Sequence, residues 1–144
     1  MNLEDITLLI IDDEEQMRRV MSYVIQNSEY SFLQIREASS AEEAMGVLAK
    51  ENIEIIICDY LLDSMSGIEF FKDISIKYPY TVRILISGNV NYDELRLAIL
   101  RGDIFRFISK PFDEEEILKV IPDAIKIVNE NRLKKELADR LKDF

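Results

Sequence analysis

Hydrophobic and polar residues alternate along the chain in two distinct patterns. Nearly unbroken apolar runs, such as ITLLII (6–11) and IIIC (55–58), are typical of strands covered on both faces of a parallel sheet. After such runs, apolar residues recur every three or four positions, as Met17, Val20 and Val24 do, which is typical of amphipathic helices. The two patterns succeed one another along the chain, so the sequence predicts five strand–helix units.

These units predict a fold as well as its elements. The predicted strands span 6–12, 31–38, 53–59, 83–87 and 104–109, and the predicted helices span 14–27, 41–50, 68–78, 91–102 and 113–121. Crossovers between parallel strands are right-handed and lay their helices over the sheet. We therefore expect an α/β domain with a doubly wound, five-stranded parallel sheet, five helices and an extended C-terminal helix.

Polar residues mark the ends of the predicted helices. Asp13, Ser40, Asn91 and Asp113 stand at positions where a side chain accepts hydrogen bonds from the free amides of a first helical turn. Gly102 follows the fourth helix, where a glycine permits the backbone to leave the helical conformation. These residues predict where the helices begin and end.

The C-terminal segment is predicted to be a helical extension of the domain. Pro122 removes a backbone donor and is expected to kink or restart the last helix. Two apolar stripes follow the helical repeat: Ile121, Ile125 and Val128, then Leu133, Leu137 and Leu141. We divide the chain into a domain over 1–127 and an extension over 128–144. The extension is a linker to an output domain, a contact in a homodimer, or a solvated helix end.

Chemically active side chains stand where the predicted strands end. Asp12 and Asp13 end the first strand, Asp59 the third and Ser87 the fourth, and Lys110 follows the fifth. In open parallel sheets, ligands bind at the carboxyl ends of the strands. We therefore expect these side chains to share one pocket.

The composition excludes several classes of activity. The chain has no histidine and one cysteine, Cys58, so Ser-His and Cys-His catalysis, an internal disulfide and a thiolate metal cluster are excluded. Cys58 is expected to be a small buried residue. With 28 acidic and 18 basic residues the net charge is −10, which opposes direct binding to nucleic acid. No apolar run reaches the roughly 20 residues that span a bilayer, so we expect a cytoplasmic protein without a membrane segment.

The acidic residues predict a phosphorylation site that depends on magnesium. Three carboxylates at one sheet edge repel one another, and Mg²⁺ is a hard cation that neutralises such clusters through oxygen ligands. We expect Asp12, Asp13 and Asp59 to bind the ion. Asp59 is the candidate nucleophile that forms an acyl phosphate. Lys110 and Ser87 are candidates to contact the phosphoryl oxygens as a cation and as a hydroxyl donor.

Together these residues make the chain resemble the receiver domains of two-component response regulators. The resemblance covers about Leu3 to Ile127. It rests on the acidic pair Asp12 and Asp13, the phosphoacceptor Asp59, Gly67 eight residues later, the switch hydroxyl Ser87, and Lys110 followed by Pro111.

The resemblance implies more than the residues alone predict. It implies the strand order 2-1-3-4-5, dependence on Mg²⁺ and a sensor histidine kinase as phosphodonor. It further implies that the carbonyl of Leu61 ligates the metal, that the Lys110–Pro111 peptide is cis, and that Phe107 is an aromatic switch residue. Leu61 and Asn89 would tune dephosphorylation, and since Leu61 cannot orient a water molecule, we expect a long-lived phosphoryl group.

The chain departs from the family pattern at one loop position, and two alternative functions are considered. Asp63 stands where the family usually has proline, which predicts a more mobile and more acidic loop. The leading hypothesis is a regulatory domain, not an enzyme beyond its own phosphorylation and dephosphorylation, that controls a partner or output domain. An interaction module that works without phosphate and a small phosphohydrolase with Asp59 as transient nucleophile are the alternatives.

Overall fold

Ten regular elements alternate along the chain in a computed structural model that describes residues 5–143. Leu3, where the resemblance begins, lies outside the described residues. The strands are β1 (Thr7–Ile11), β2 (Gln34–Ala38), β3 (Ile55–Asp59), β4 (Val82–Ser87) and β5 (Arg106–Ser109). The helices are α1 (Glu15–Gln26), α2 (Ala41–Lys50), α3 (Gly67–Lys77), α4 (Tyr92–Leu100) and α5 (Glu114–Leu141).

The strands form one parallel sheet in the order β2-β1-β3-β4-β5. The predicted doubly wound fold and its strand order are confirmed. β1 lies between β2 and β3, with Leu8 paired to Ile35 on one side and to Ile55 on the other. The long apolar runs of β1 and β3 follow from this position, because all five residues of each strand are buried.

Two apolar layers cover the two faces of the sheet. Alternate residues of each strand belong to different layers. Leu8 and Ile10 face the layer that includes Met21 of α1 and Ile117 of α5. Their neighbours Leu9 and Ile11 belong to the opposite layer. Successive side chains of a strand point to opposite faces, so one run of apolar residues supplies both layers.

Three of the four predicted caps are confirmed. The side chains of Ser40, Asn91 and Asp113 accept hydrogen bonds from backbone amides in the first turns of α2, α4 and α5. The predicted cap Asp13 is wrong: Glu14 precedes α1 and makes no capping hydrogen bond with its side chain. The amide of Glu14 instead donates to Oδ1 of Asp12 at 2.9 Å, so the carboxylate at the strand end satisfies this donor.

Pro122 was predicted to kink or restart the last helix, and the restart is wrong, because α5 continues from Glu114 to Leu141 through Pro122. The kink stays a prediction. Pro122 is exposed, while Ile121 and Ala124 beside it are fully buried. Packing on both sides of the proline holds the helical path despite the lost hydrogen bond. Within residues 5–143, no helix combines the length and the apolar character required to cross a bilayer.

Candidate functional site

The carboxyl edge of the sheet brings four of the predicted side chains together. Asp12 follows the last residue of β1, Asp59 is the last residue of β3, and Lys110 follows β5. The Nζ atom of Lys110 lies 3.4 Å from Oδ2 of Asp12 and 3.3 Å from Oδ1 of Asp59. One ammonium group therefore pairs with carboxylates from two adjacent strands that are 51 and 98 residues away in sequence.

Asp13 completes a cluster of three carboxylates. One carboxylate oxygen from each of Asp12, Asp13 and Asp59 lies within 4.8 Å of the other two. Asp12 and Asp59 are buried, whereas Asp13 is exposed at the mouth of the cluster. Hard oxygen donors at this spacing fit Mg²⁺, which prefers carboxylates and retains several waters.

Hydrogen bonds to β2 and α1 hold the backbone of Asp12 in place. Its amide donates to the carbonyl of Ala38 in β2 at 3.2 Å, and its carbonyl accepts from Nη1 of Arg18 at 2.7 Å. Arg18 lies on α1 and also pairs with Glu37 at 3.1 Å. Nothing in the residue pattern predicted this role for Arg18, because its contacts depend on how α1 lies against β2.

Burial sets the protonation behaviour of the cluster. Burial raises the pKa of Asp12 above its ordinary value, although the Glu14 amide and Lys110 lower it. Burial and the charge of Asp12 raise the pKa of Asp59, which Lys110 opposes. Burial lowers the pKa of Lys110, but the two carboxylates outweigh this effect and the pKa is raised. The lysine therefore stays charged, and the acids carry more negative charge than it neutralises.

The family profile described as the response regulator receiver domain matches residues 8–122. The chain belongs to the response regulator receiver family. Its matched part contains the acidic cluster and Lys110, so the profile and the geometry identify the same edge of the sheet.

Relatives of this receiver domain are longer proteins. It is 27% identical over 119 residues to the hydrogenase transcriptional regulatory protein HoxA of Cupriavidus necator, which covers 83% of the chain and 24% of HoxA. It is 27% identical over 132 residues to the nitrogen assimilation regulatory protein NtrX of Azorhizobium caulinodans. This alignment covers 90% of the chain and 28% of NtrX. The chain thus spans about a quarter of these relatives.

A solved structure is similar over nearly its whole length. The signal receiver domain of an HD domain-containing protein from Pseudomonas fluorescens Pf-5 is 25% identical to this receiver domain and superposes with a TM-score of 0.80. The alignment covers 94% of the chain and 96% of that structure.

The structure also locates the other residues predicted from sequence. Ser87 ends β4 and is buried, and its Oγ accepts a hydrogen bond from the amide of Asn89 at 3.1 Å. Asn89 is exposed, as is Leu61, whose side chain is 60% exposed. Phe107 is partly buried against the layer that contains Leu85. Their roles in switching and dephosphorylation stay predictions.

Two backbone features are found beside Asp59 and Lys110. The Lys110–Pro111 peptide is cis, as the resemblance implies. Gly67 begins α3 directly against β3: a Cβ atom there would collide with the carbonyl oxygen of Asp59 and lie 2.9 Å from Cδ1 of Leu85. A glycine eight residues after Asp59 is therefore required by the close approach of α3.

Proposed function

We propose that this receiver domain accepts a phosphoryl group from a sensor histidine kinase onto Asp59 and changes conformation to control a partner or output domain. The observation that supports it best is the Lys110 ammonium, which contacts Asp59 at 3.3 Å and Asp12 at 3.4 Å. A nucleophile held beside a fixed cation and two further acids fits phosphoryl transfer, which depends mainly on positioning and on charge neutralisation.

The proposed reaction moves one phosphoryl group between proteins. A carboxylate oxygen of Asp59 attacks the phosphorus of a phosphohistidine, a new O–P bond forms, and the N–P bond breaks with its electron pair left on the imidazole nitrogen. The histidine comes from the kinase, because this chain has none. Lys110, already paired with Asp59, would contact an oxygen of the transferred group.

The acids would hold Mg²⁺ during this step. Asp12, Asp13 and Asp59 are the proposed ligands, joined by the carbonyl of Leu61. A bound magnesium ion would neutralise negative charge on the phosphoryl oxygens.

The switch would begin at Ser87. Its hydroxyl accepts a hydrogen bond from Asn89 and still has a proton to donate, so the dianionic phosphoryl group would draw it inward. Phe107 would follow into the space that Ser87 leaves, and the surface of α4, β5 and α5 would carry the change to a partner.

The proposed partners follow from the family and from charge. The longer relatives support an output domain joined through α5, and a homodimer contact through that helix is the alternative. The net charge of −10 disfavours direct binding of nucleic acid by this domain. The proposal includes a cytoplasmic location, where a kinase domain and ATP are available.

The decisive experiment is incubation with acetyl phosphate and Mg²⁺ followed by intact mass measurement. We expect an added mass of one phosphoryl group, which Asp59→Asn abolishes and EDTA prevents. Asp73→Asn, a change of an exposed acid on α3, is the matched control and should be phosphorylated like the wild type. An unmodified protein would favour an interaction module that works without phosphate, and rapid release of phosphate without an adduct would favour a phosphohydrolase.

A further inference from the structure

Tyr60 connects the loop after the acceptor to three other elements. It directly follows Asp59, and its amide donates to the carbonyl of Ile86 in β4 at 2.9 Å. Its carbonyl accepts from the amide of Gly67, the first residue of α3, at 2.7 Å. These two bonds hold the backbone of Tyr60 between β4 and α3, directly beside Asp59.

The side chain of Tyr60 extends this connection to α4. Its hydroxyl donates to Oε2 of Glu94 at 2.8 Å, across 34 residues of sequence. Glu94 belongs to the first turn of α4 and is only partly exposed. The ring packs against the apolar layer on this face of the sheet, so the hydroxyl is held in place by the ring as well as by its bond.

The charge around the hydroxyl favours its role as a donor. The hydrogen bond to Glu94 raises the pKa of Tyr60, burial adds to this, and the backbone amide of Asn91 opposes it. A bond between a phenol and a carboxylate is stronger than a neutral one and acts over a narrow range of distance.

We infer that Tyr60 is a positioning residue that ties α4 to the acceptor loop in the unphosphorylated protein and transmits the state of Asp59 to α4. The inference rests on the proposed phosphorylation of Asp59. O–H···O bonds are formed at about 2.5–3.0 Å, so a shift of roughly half an ångström between α4 and the loop after β3 takes the 2.8 Å contact beyond this range and weakens it. Phosphorylation, which draws Ser87 inward beside the start of α4, releases the first turn of this helix.

Hydrogen exchange of α4 in the unphosphorylated protein tests the tie itself. We expect Tyr60→Phe to speed exchange of the amides of residues 91–96 about fivefold or more, because one charge-assisted hydrogen bond is lost. Tyr92→Phe removes the same atom from a tyrosine that is 73% exposed on the same helix, and it should leave exchange unchanged. Glu94→Gln keeps an acceptor oxygen and should preserve most of the protection, whereas Glu94→Ala should match Tyr60→Phe.

The phosphorylated protein tests the transmission. After acetyl phosphate and Mg²⁺, exchange in residues 91–96 of the wild type should rise towards the Tyr60→Phe level, while Tyr60→Phe should take up the phosphoryl group and change little. Unchanged exchange in unphosphorylated Tyr60→Phe would refute the tie, and an equal response of both proteins would refute the transmission. Absence of a phosphoryl adduct on the wild type would refute the proposed function and the transmission, while the first comparison would still decide whether the tie exists.

Discussion

Two buried acids share a single ammonium group at the edge of the sheet, which leaves excess negative charge in the folded protein. Burial raises the pKa of both Asp12 and Asp59. Between the ordinary pKa of 3.8 and the raised value, the folded state binds more protons than the unfolded state. The free energy of unfolding therefore falls as pH rises through this window, and it stays lowered at neutral pH.

In the absence of metal, removal of the repulsion between Asp12 and Asp59 should stabilise the protein. We expect Asp59→Asn to raise the free energy of unfolding by about 1 kcal/mol at pH 7 in EDTA, since it removes one of two adjacent buried charges. The gain should shrink as pH is lowered towards the ordinary pKa of Asp59, and Mg²⁺ should stabilise the wild type more than the variant. Urea unfolding at several pH values measures both effects. A gain independent of pH would contradict the electrostatic cause.

Leu61 is expected to prolong the phosphorylated state. Leu61 lies two residues after Asp59, is 60% exposed and has no group that can orient a water molecule. Leu61→Asn supplies such a group and should shorten the half-life of the phosphoryl group by roughly tenfold. Decay of the adduct followed by intact mass gives the half-life, and a wild type that decays faster than Leu61→Asn would oppose this role.

At the scale of the elements, α3 begins in close contact with the end of β3. Gly67 has no room for a side chain, because a Cβ atom would meet the backbone of Asp59. Gly46 in the middle of α2 has nothing within 4 Å of the same position. The two glycines have the same chemistry and opposite surroundings, so they form a matched pair.

The pair predicts opposite effects of the same substitution. We expect Gly67→Ala to lower the free energy of unfolding by about 2 kcal/mol, because backbone and side-chain atoms must shift to admit a methyl group. Gly46→Ala should raise it by about 0.5–1 kcal/mol, because alanine has the higher helix propensity. Urea denaturation measures both, and a stabilised Gly67→Ala would show that α3 does not need this close approach.

At the scale of the whole molecule, α5 begins after β5 near the site and reaches residues that precede β4 and β1. Beyond Val128, which is 2% exposed, Nδ2 of Asn131 donates to the carbonyl of Tyr80 at 3.0 Å. Arg132 donates to the carbonyl of Asp5 at 3.1 Å, before the start of β1. Three leucines further along the helix are exposed: Leu133, Leu137 and Leu141. We propose that the extension leaves the body of the domain after Arg132, and the boundary at 127 stays a prediction.

Truncation measures where the domain ends. A chain that stops after Lys135 should keep its free energy of unfolding within about 0.5 kcal/mol, because the exposed leucines contribute little to the core. A chain that stops after Ile127 should lose about 2–4 kcal/mol, since the burial of Val128 and two anchoring hydrogen bonds are lost. Equal stability of both chains would place the boundary at 127 instead.

Individual elements show which features the residue pattern predicted correctly and which it did not. The runs of β1 and β3 predicted their strands, because only a doubly covered strand is apolar on both faces. The cap at Asp13 was wrong because Asp12 satisfies the amide of Glu14, a contact that depends on the turn after β1. The restart at Pro122 was wrong because burial on both sides outweighs one missing hydrogen bond.

The sequence by itself determined the order of the elements, the family and the residue types at the strand ends, because periodicity and punctuation are local properties of the chain. The tertiary structure alone decided which atoms meet. The ammonium of Lys110 lies between two carboxylates, and Tyr60 bonds to Glu94, so both contacts join residues that are distant in sequence. The close approach at Gly67 spans only eight residues, but it too depends on how α3 lies against β3. Such contacts depend on how helices lie against the sheet, and this is set by the packing of the whole domain.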